Sequence, residues 1–465
     1  MVGLRPPPAR TCPVAAAALH IGRSTRSRRL STGSPSARSG WDDAGVGPGR
    51  GSGRSEASRS FVSDRSPPGF GGCEADSRAA RSVARPDETP TYQRPTRRDM
   101  EYERPQFYHV MQYAADADGD VIDMVSGNPD WEPPAALRDG LREYADADPA
   151  DFQYPPSEGL VDLRAEIADR RNVDPERVVV TNGTGEANYL AMAGALDRDA
   201  GDEVLLTDPV YPYYPGKASM LGAETTLVPT ERDGSLDPER FREAASDDTA
   251  LIVVNTPNNP TGTVYDRETM RALADLAEEV DATLLADEVY DHFDFTGGFE
   301  SALTLDSDRT IVTTGYSKSM AITGFRVGYA VFPEDLVGSA KTRHMLVNVA
   351  TSRPAQYAVL RALRGTDADY YAGARELLSQ RVETFTDALD AAGAEYTSPD
   401  GAFYVLARFD GFPGTMANAE RLVDEAGVAG MPGETFGTTR SEWLRFALVT
   451  PRVEEAAARL TDYFG

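Results

Sequence analysis

Short, wholly apolar segments that alternate with helical patterns are the feature of this sequence that most limits its fold. Each segment is apolar at almost every position, which is typical of a strand buried on both faces of a sheet. Strands that alternate with helices build an α/β fold, with helices on both sides of a mostly parallel sheet. The predicted strands are 177–181, 203–207, 249–255, 282–286, 310–314 and 327–332, and the clearest helices are 186–196 and 266–280.

The last third of the chain has a different rhythm. A long helical pattern over 335–363 leads to two predicted strands, 402–407 and 442–449, and Thr450-Pro451 then gives a helix start signal. We therefore predict a large domain around the parallel sheet and a smaller α+β domain built from both ends of the folded part. The predicted boundaries are 140–350 for the large domain and 100–139 with 351–465 for the small domain.

The first 99 residues differ in composition from the rest. They hold 17 Arg, no Lys and 9 acids, a net charge of 17 − 9 = +8, and they are dominated by Arg, Ser, Gly and Pro. No helical or strand period persists, so a disordered tail is predicted. The first 41 residues, with seven Arg and no acid, also resemble a transit peptide. Because the net charge changes sign near Met100, we favour an unstructured tail, or sequence that lies upstream of a true start at that residue.

Beyond residue 99 the chain is strongly acidic. It has 47 − 17 = 30 basic and 74 − 9 = 65 acidic residues, a net charge of −35. A surface of this sign repels nucleic acid and anionic membranes. No apolar run reaches the roughly 18 residues that a membrane helix needs. The sequence predicts a soluble, cytoplasmic protein that binds neither nucleic acid nor membrane.

Lysine is nearly absent, with three Lys against 47 − 3 = 44 Arg. An acid-rich, lysine-poor surface stays hydrated in concentrated salt, where charge repulsion is screened. We therefore expect an extremely halophilic source, with an acidic enzyme from an ordinary-salt organism as the alternative. Cys12 and Cys73 lie in the first 99 residues, and the four His have no metal-ligand spacing. No disulfide, thiolate nucleophile or metal site is predicted for the acidic part.

The segment TTGYSKSMAITGFRVGY, residues 313–329, carries the sharpest chemical signal. Lys318 lies on a turn of small residues after a predicted buried strand, and Arg326 follows eight residues later. A lysine in such a place can form a Schiff base, because burial and nearby cations favour its neutral amine. The planar guanidinium of Arg326 can bind a phosphate through two parallel hydrogen bonds. A structural lysine near a helix start is the alternative for this segment alone.

Polar residues follow two of the predicted strands, at the place where ligand sites form in α/β sheets. In LLADEVY, the Asp287 carboxylate could pair with a protonated pyridine nitrogen and keep the ring electron-accepting. Tyr290 could donate a hydrogen bond to the phenolic oxygen of such a ring. In NTPNNPTGTVY, a rigid turn would point Asn259 into the same crevice. An N-cap aspartate, a packed tyrosine and a plain tight turn are the alternatives.

Three further segments supply candidate binding groups. The turn TNGTGEA frees the backbone N–H groups of Thr184 and Gly185 at a helix start, which suits a phosphate. In DPVYP, Tyr211 could stack on an aromatic ring. In WLRF, Arg445 lies within a predicted strand, where a clamp on a substrate carboxylate would account for it. A lone glycine turn, a packed tyrosine and a surface salt bridge are the alternatives.

Together these motifs resemble the class I/II aminotransferases, the fold-type I pyridoxal-5′-phosphate (PLP) enzymes related to aspartate aminotransferase. The resemblance runs from about Val121 to the C-terminus and implies transfer of an amino group between an L-amino acid and a 2-oxo acid. PLP is the implied cofactor. The implied catalytic residues are Lys318, Asp287 and Tyr290. The implied cofactor-binding residues are Tyr154, Thr184, Gly185, Tyr211, Asn259, Asp287, Tyr290, Ser317, Lys318 and Arg326. The implied substrate-binding residues are Gly127, Asn259 and Arg445.

Two features of the resemblance carry further expectations. Tyr154 matches a tyrosine that reaches the phosphate of a neighbouring subunit, which implies a homodimer with shared active sites. Relatives usually have Ser-x-Ser-Lys where this chain has Gly315-Tyr316-Ser317-Lys318. One hydroxyl is therefore lost, and we expect backbone or water to replace it with modestly weaker cofactor binding.

Other chemistries and substrates remain open at this point. A β-lyase of the same fold would keep the same cofactor residues, and a non-catalytic PLP-binding regulator is a remote alternative. The amino-acid substrate is not decided by Arg445, which reports only a carboxylate. An aspartate-type enzyme would need a second cation, which a partner subunit could supply. Trp131 near the pocket would permit aromatic or aliphatic substrates.

Overall fold

A computed structural model describes residues 106–198 and 200–465. The predicted disordered tail, 1–99, and Cys12 and Cys73 within it lie outside the described residues. The helices of the described part are α1 Gln106–Asp116, α2 Ala135–Ala145, α3 Val161–Arg171, α4 Thr184–Leu196, α5 Tyr213–Leu221, α6 Pro238–Ala244, α7 Arg267–Glu279, α8 Tyr316–Ser319, α9 Glu334–Asn348, α10 Arg353–Gly365, α11 Ala368–Ala391, α12 Met416–Ala426 and α13 Val453–Phe464. The strands are β1 Ile122–Asp123, β2 Val178–Thr181, β3 Glu203–Asp208, β4 Glu224–Pro229, β5 Thr249–Asn255, β6 Thr283–Asp287, β7 Thr310–Gly315, β8 Gly328–Val331, β9 Glu395–Tyr396, β10 Tyr404–Arg408, β11 Val428–Ala429, β12 Met431–Pro432 and β13 Leu444–Ala447.

A seven-stranded sheet forms the centre of the fold, in the order β2-β8-β7-β6-β5-β3-β4. Strands β4, β3, β5, β6 and β7 pair in parallel, and β8 runs antiparallel to both of its neighbours. The predicted mostly parallel sheet between helices is therefore confirmed. Because the parallel strands end at the same edge, the residues that follow them converge there.

Strand β5 shows why the apolar segments indicate a sheet covered on both faces. Leu251 and Val253 pack into a cluster with residues of α4, α5 and α9. The alternate residues Ile252 and Val254 pack on the other face, in a cluster with α6 and α7. All four are buried, and each such side chain contributes about 1.5–3 kcal/mol relative to an exposed one. A strand with two buried faces must be apolar at every position.

A four-stranded antiparallel sheet, β12-β13-β10-β9, lies in the C-terminal part, and β1 pairs with β11. Its core includes residues of α11, α12 and α13. Helix α10 instead packs with α2, α3 and β2. The domain boundaries given above stay a prediction.

One helix prediction is wrong. The pattern over 335–363 is two helices, α9 and α10, which are separated by residues 349–352. Val349 has a left-handed backbone (φ 64°) and ends α9, and Pro354 lies in the first turn of α10. Proline lacks the N–H that would continue a helix, so it starts a new one. Strand β4 and the 24-residue helix α11 have no counterpart in the sequence prediction.

No helix in the part of the chain that the structure describes is both long and apolar enough to cross a membrane. Within the same residues, no group of His, Cys, Asp and Glu is arranged to hold a metal ion.

Candidate active site

A cavity of about 690 Å³ opens where the parallel strands β3, β5, β6 and β7 end. Eleven of the twelve residues implied by the resemblance line it, which brings together segments more than 300 residues apart in the chain. They are Gly127, Thr184, Gly185, Tyr211, Asn259, Asp287, Tyr290, Ser317, Lys318, Arg326 and Arg445. Tyr154 does not line this cavity, and its side chain is 81% exposed. Trp131 packs against Phe293, with ring centroids 5.7 Å apart, and also does not line the cavity.

Lys318 projects from the short helix α8, directly after β7. Its Nζ donates a hydrogen bond to the carbonyl oxygen of Gly127 at 2.6 Å. Burial, together with the positive charges of Arg445 and Arg326, lowers the pKa of Lys318 from 10.5 to about 8. A substantial fraction of neutral amine near pH 8 is what a nucleophile or proton carrier needs.

The lowered pKa of Lys318 can be measured in cofactor-free protein. Only the neutral amine reacts with acetic anhydride, so the labelling rate should rise with pH and level off above about 8. In urea the midpoint should move up to about 10.4, the ordinary value for lysine. Burial also lowers the pKa of Lys217 to about 8, so the experiment uses a Lys217→Arg variant and peptide mapping. A native midpoint above 10 would contradict this environment.

The Asp287 carboxylate ends β6 and is buried at the floor of the cavity. Its Oδ2 accepts hydrogen bonds from Tyr214 OH at 2.6 Å and from Asn188 Nδ2 at 2.7 Å, and Oδ1 accepts from the Val289 N–H at 3.1 Å. Burial raises the pKa of Asp287, while the bonds from Tyr214 and Asn188 act to lower it. Burial has the larger effect, so the pKa of Asp287 is raised overall, and the three donors act against that rise by favouring the ionised form.

Asn188 and Tyr214 are residues that sequence reasoning missed. Asn188 is buried in α4, and its Oδ1 accepts from Thr313 Oγ1 at 2.5 Å. A single amide within ANYLAMAGAL, the mostly apolar run over 187–196, was the available signal, since a buried polar residue needs partners. Tyr214 follows the predicted stacking residue Tyr211 by three positions, and their ring centroids lie 5.8 Å apart.

Arg445 is buried in β13, and its guanidinium makes few hydrogen bonds there. Its Nη1 donates to Asn259 Oδ1 at 3.1 Å, its Nη2 donates to the carbonyl oxygen of Val125 at 2.5 Å, and its Nε has no partner in the described structure. The guanidinium lies 4.5 Å from the ring centroid of Tyr404 and has no carboxylate hydrogen-bonded to it within the described residues. A buried guanidinium in this state suits an incoming carboxylate.

Tyr404 is a third residue that sequence reasoning missed, and it contacts residues on both sides of the cavity. Its hydroxyl lies 3.1 Å from Tyr290 OH. A Cβ added to Gly127 would lie 2.1 Å from that hydroxyl, so only glycine fits opposite Tyr404. The sequence placed Tyr404 on a strand without showing which face it occupies.

Glycines allow the turn before α4 to approach Arg326 closely. Gly183 has φ +75°, and a Cβ there would lie 2.4 Å from Arg326 Nη2. Arg326 itself adopts a left-handed backbone (φ 54°), which costs about 1–3 kcal/mol for a non-glycine residue and recurs at ligand sites. A Cβ on Gly315 would lie 2.7 Å from Thr184 Oγ1, so the missing serine leaves room for the threonine hydroxyl.

Replacing Gly183 with alanine is expected to destabilise the protein by about 1–3 kcal/mol, because alanine disfavours this backbone and its Cβ would displace Arg326. Denaturant unfolding measures the loss. Gly194→Ala is the matched control, since Gly194 lies within α4 and nothing lies within 4 Å of a Cβ there. That change should be neutral or stabilising by up to about 1 kcal/mol. Equal effects of the two changes would contradict the close approach.

The cavity fits PLP, the cofactor that the resemblance implies. Thr184 Oγ1 is buried without a partner in the described structure, at the start of a helix and across the turn from Arg326. These groups suit a phosphate. Lys318 offers a partly neutral amine for an aldehyde, and Asp287 offers a buried carboxylate for a protonated ring nitrogen. When bound, PLP supplies an aromatic ring that accepts electron density from a carbanion.

Comparison with known proteins points to one family. The family model described as "Aminotransferase class I and II" matches residues 119–460. The aspartate/prephenate aminotransferase of Thermus thermophilus is 32% identical over 357 residues, 74% of this chain and 91% of that protein. The aspartate aminotransferase of Thermotoga maritima is 31% identical and covers the same shares of the two chains. A single-mutant structure of Thermus thermophilus aspartate aminotransferase superposes with a TM-score of 0.73 at 30% identity, over 79% of this chain and 98% of that one.

Proposed function

Because the chain belongs to the class I and II aminotransferases, we propose that it binds PLP through Lys318 and that the same amine moves the proton during amino transfer. The chain is a PLP-dependent aminotransferase that acts on an amino acid and a 2-oxo acid. The observation that carries the residue assignment is the cavity itself, where Lys318, Asp287 and Arg445 line one space.

The proposed roles follow from the contacts of each side chain. Asp287 would hold a protonated ring nitrogen, with Asn188 and Tyr214 keeping its carboxylate oriented. Tyr290 and Asn259 would donate to the phenolic oxygen, and Tyr211 would stack on the ring. Thr184, Gly185, Ser317 and Arg326 would bind the phosphate. The Lys318 amine, once free, would take the proton from the substrate α-carbon as general base and deliver it as general acid to the C4′ carbon of the cofactor.

The substrate carboxylate is proposed to bind Arg445, with Asn259 and the backbone of Gly127 assisting. Arg445 already contacts Asn259, and Gly127 already contacts Lys318. Clamping the carboxylate beside the amine orients the α-carbon hydrogen toward the proton carrier, which is how positioning accelerates such a step.

Aspartate is proposed as the first amino-group donor to test, because several relatives are named aspartate or aspartate/prephenate aminotransferases. The described lining of the cavity contains four cations, Lys217, Lys318, Arg326 and Arg445. The last three already have proposed roles, and Lys217 lies beside the rings of Tyr213 and Tyr214, 5.5 and 5.9 Å from their centroids. The distal carboxylate of aspartate would therefore use a cation from a partner subunit.

A second substrate class is supported by a different part of the lining. Phe107, Tyr108, Met111, Met431 and Phe436 form an apolar stretch of the cavity wall, and Arg445 lies 5.1 Å from the Phe436 ring centroid. An aromatic or aliphatic amino acid would bury its side chain against this wall without a second cation. We therefore propose that such amino acids are accepted beside aspartate.

A homodimer with shared active sites is proposed from two exposed features. Tyr154 is exposed and outside its own cavity, as expected of a residue that serves a neighbouring subunit. Met345, Leu346, Val347 and Val349 are exposed apolar residues at the end of α9, and such patches mark interaction surfaces.

Light scattering should give a dimer, and Tyr154→Phe should weaken PLP binding without changing subunit association.

We also propose that the enzyme works in the cytoplasm of a cell with concentrated internal salt. The support is the excess of 65 acids over 30 bases beyond residue 99. The midpoint of thermal unfolding should rise in molar KCl.

The activity is tested by supplying twenty amino acids with 2-oxoglutarate or pyruvate as acceptor, in molar salt with added PLP. We expect an amino acid product from the acceptor, with aspartate and the apolar amino acids as the leading donors. Release of pyruvate and ammonia from a β-substituted amino acid, without any amino product, would indicate a β-lyase and overturn the proposal.

A further inference from the structure

A buried pair outside the cavity connects helix α9 to the start of helix α4. The side chain of His344 on α9 is 0% exposed, and its Nδ1 lies 2.7 Å from Glu186 Oε1 on α4. Asn348, one turn further along α9, donates its side-chain amide to the same carboxylate oxygen. Neither His344 nor Glu186 lines the cavity. The proposed reaction therefore leaves this pair without a role.

The second oxygen of Glu186 reaches back to the turn that precedes α4. Glu186 Oε2 accepts a hydrogen bond from the backbone N–H of Asn182 at 2.6 Å. The carbonyl oxygen of Asn182 lies 3.4 Å from Arg326 Nη2, and Gly183 and Thr184 follow directly. A single carboxylate thus links α9 to the turn that carries the proposed phosphate donors. A carboxylate in the first helical turn that accepts from the N–H of a residue before the helix holds the entry of the chain in one conformation.

We infer that His344 is a positioning residue that holds the phosphate-binding turn in place through Glu186. This inference rests on the proposed function, because it assumes that the turn binds the cofactor phosphate. Although burial raises the pKa of Glu186, the bonds from His344 and Asn182 lower it overall, so the carboxylate is ionised. Without His344, this partly buried charge would lose one of its three hydrogen-bond partners and turn toward other donors or water. The Asn182 N–H would then be released, and the turn would loosen.

A purely structural role is the competing explanation, since α4 and α9 also pack through the apolar residues around the pair. The two explanations predict different effects on the binding of the cofactor and of its phosphate-free analogue. Loss of general stability would weaken the binding of PLP and of pyridoxal, which lacks the phosphate, by the same factor. Loss of the turn's conformation would weaken only PLP.

The experiment compares His344→Ala with His344→Asn, whose amide can replace Nδ1 as the partner of Glu186. Affinities of cofactor-free protein for PLP and for pyridoxal are measured by absorbance titration. We expect His344→Ala to weaken PLP binding by about tenfold, the loss of one hydrogen bond to a charged group. Pyridoxal binding should change less than about twofold, and His344→Asn should recover most of the PLP affinity. Equal losses for both ligands would overturn the inference.

A second measurement needs no cofactor. Hydrogen–deuterium exchange of the backbone amides at 182–187 should be faster in cofactor-free His344→Ala than in the unaltered protein, while exchange in β5 stays the same. Glu186→Leu is the companion variant if His344→Ala does not fold, and because it removes the acceptor of the Asn182 N–H it should give the same exchange and ligand pattern. Unchanged exchange at Asn182 in these variants would overturn the inference. Unaltered protein that binds PLP no better than pyridoxal would instead overturn the proposed phosphate site, and the inference with it.

Discussion

Lys318→Ala is expected to lower kcat by about 10⁴-fold or more, the upper end of what one positioned proton carrier contributes. The variant should also lose the visible absorbance of covalently attached PLP, because alanine has no amine to bond the aldehyde. Lys318 has both roles in the proposal, so no other lysine can replace it. Absorbance spectra of purified holoprotein and single-turnover kinetics measure the two losses separately.

Lys341→Ala is the matched control for that experiment. Lys341 is paired with Glu176 at 2.9 Å and does not line the cavity. Absorbance and kcat should remain within about twofold of the unaltered enzyme, since a surface ion pair contributes about 0–1 kcal/mol. A Lys318→Ala protein that keeps both the absorbance and the turnover would refute the assignment of the cofactor lysine.

Arg445→Leu is expected to reduce kcat/KM by about 10²–10⁴-fold. Two charge-assisted hydrogen bonds to a carboxylate contribute about 1.5–3 kcal/mol each, and each 1.4 kcal/mol is a factor of ten. Arg445→Lys keeps the charge but loses the two-point contact, so a smaller loss of about 10–100-fold is expected. Initial rates over a range of amino acid concentrations give kcat and KM for each variant.

Arg408→Lys serves as the control for the clamp. Arg408 ends β10, beside β13, and pairs with Glu442 at the protein surface. Its kinetics should match those of the unaltered enzyme, while denaturant unfolding of all three variants separates lost binding from lost stability. If Arg445→Leu changed kcat/KM by less than tenfold while remaining folded, the substrate carboxylate would have to bind elsewhere.

The sequence was sufficient to predict the central sheet and the residues at the ends of its strands. Strand β5, TALIVVN, is apolar at the five positions between its two ends, because α4 covers one face and α7 the other. Asp287 ends β6 and Asn259 follows β5, and these two strands are parallel neighbours, so the position of both residues at the cavity follows from the sheet. These inferences needed only local pattern and the geometry of parallel strands.

Residues whose role depends on distant contacts could not be predicted in the same way. Asn188 contacts Asp287 across 99 positions of sequence, and Tyr404 contacts Tyr290 across 114. The helical pattern predicts which face of α4 carries Asn188. It does not predict that this side chain contacts Asp287 on β6. Val349 breaks the predicted long helix through a backbone conformation that its β-branched side chain disfavours. Pro354 is a local signal for the start of the second helix, but nothing in the helical period marks Val349 as the end of the first.

The hydrogen bond between Lys318 and Gly127 joins a residue that follows β7 of the seven-stranded sheet to a segment that precedes β2, the first strand of that sheet in the chain. Arg445 similarly lies in the four-stranded sheet, and it donates a hydrogen bond to Asn259, which follows β5 of the seven-stranded sheet. A substrate analogue held by both Lys318 and Arg445 would act as a non-covalent tether between the two sheets. Its saturation should therefore raise the temperature at which the sheets melt, by the mass-action term RT ln(1 + [L]/Kd), and make their melting more concerted.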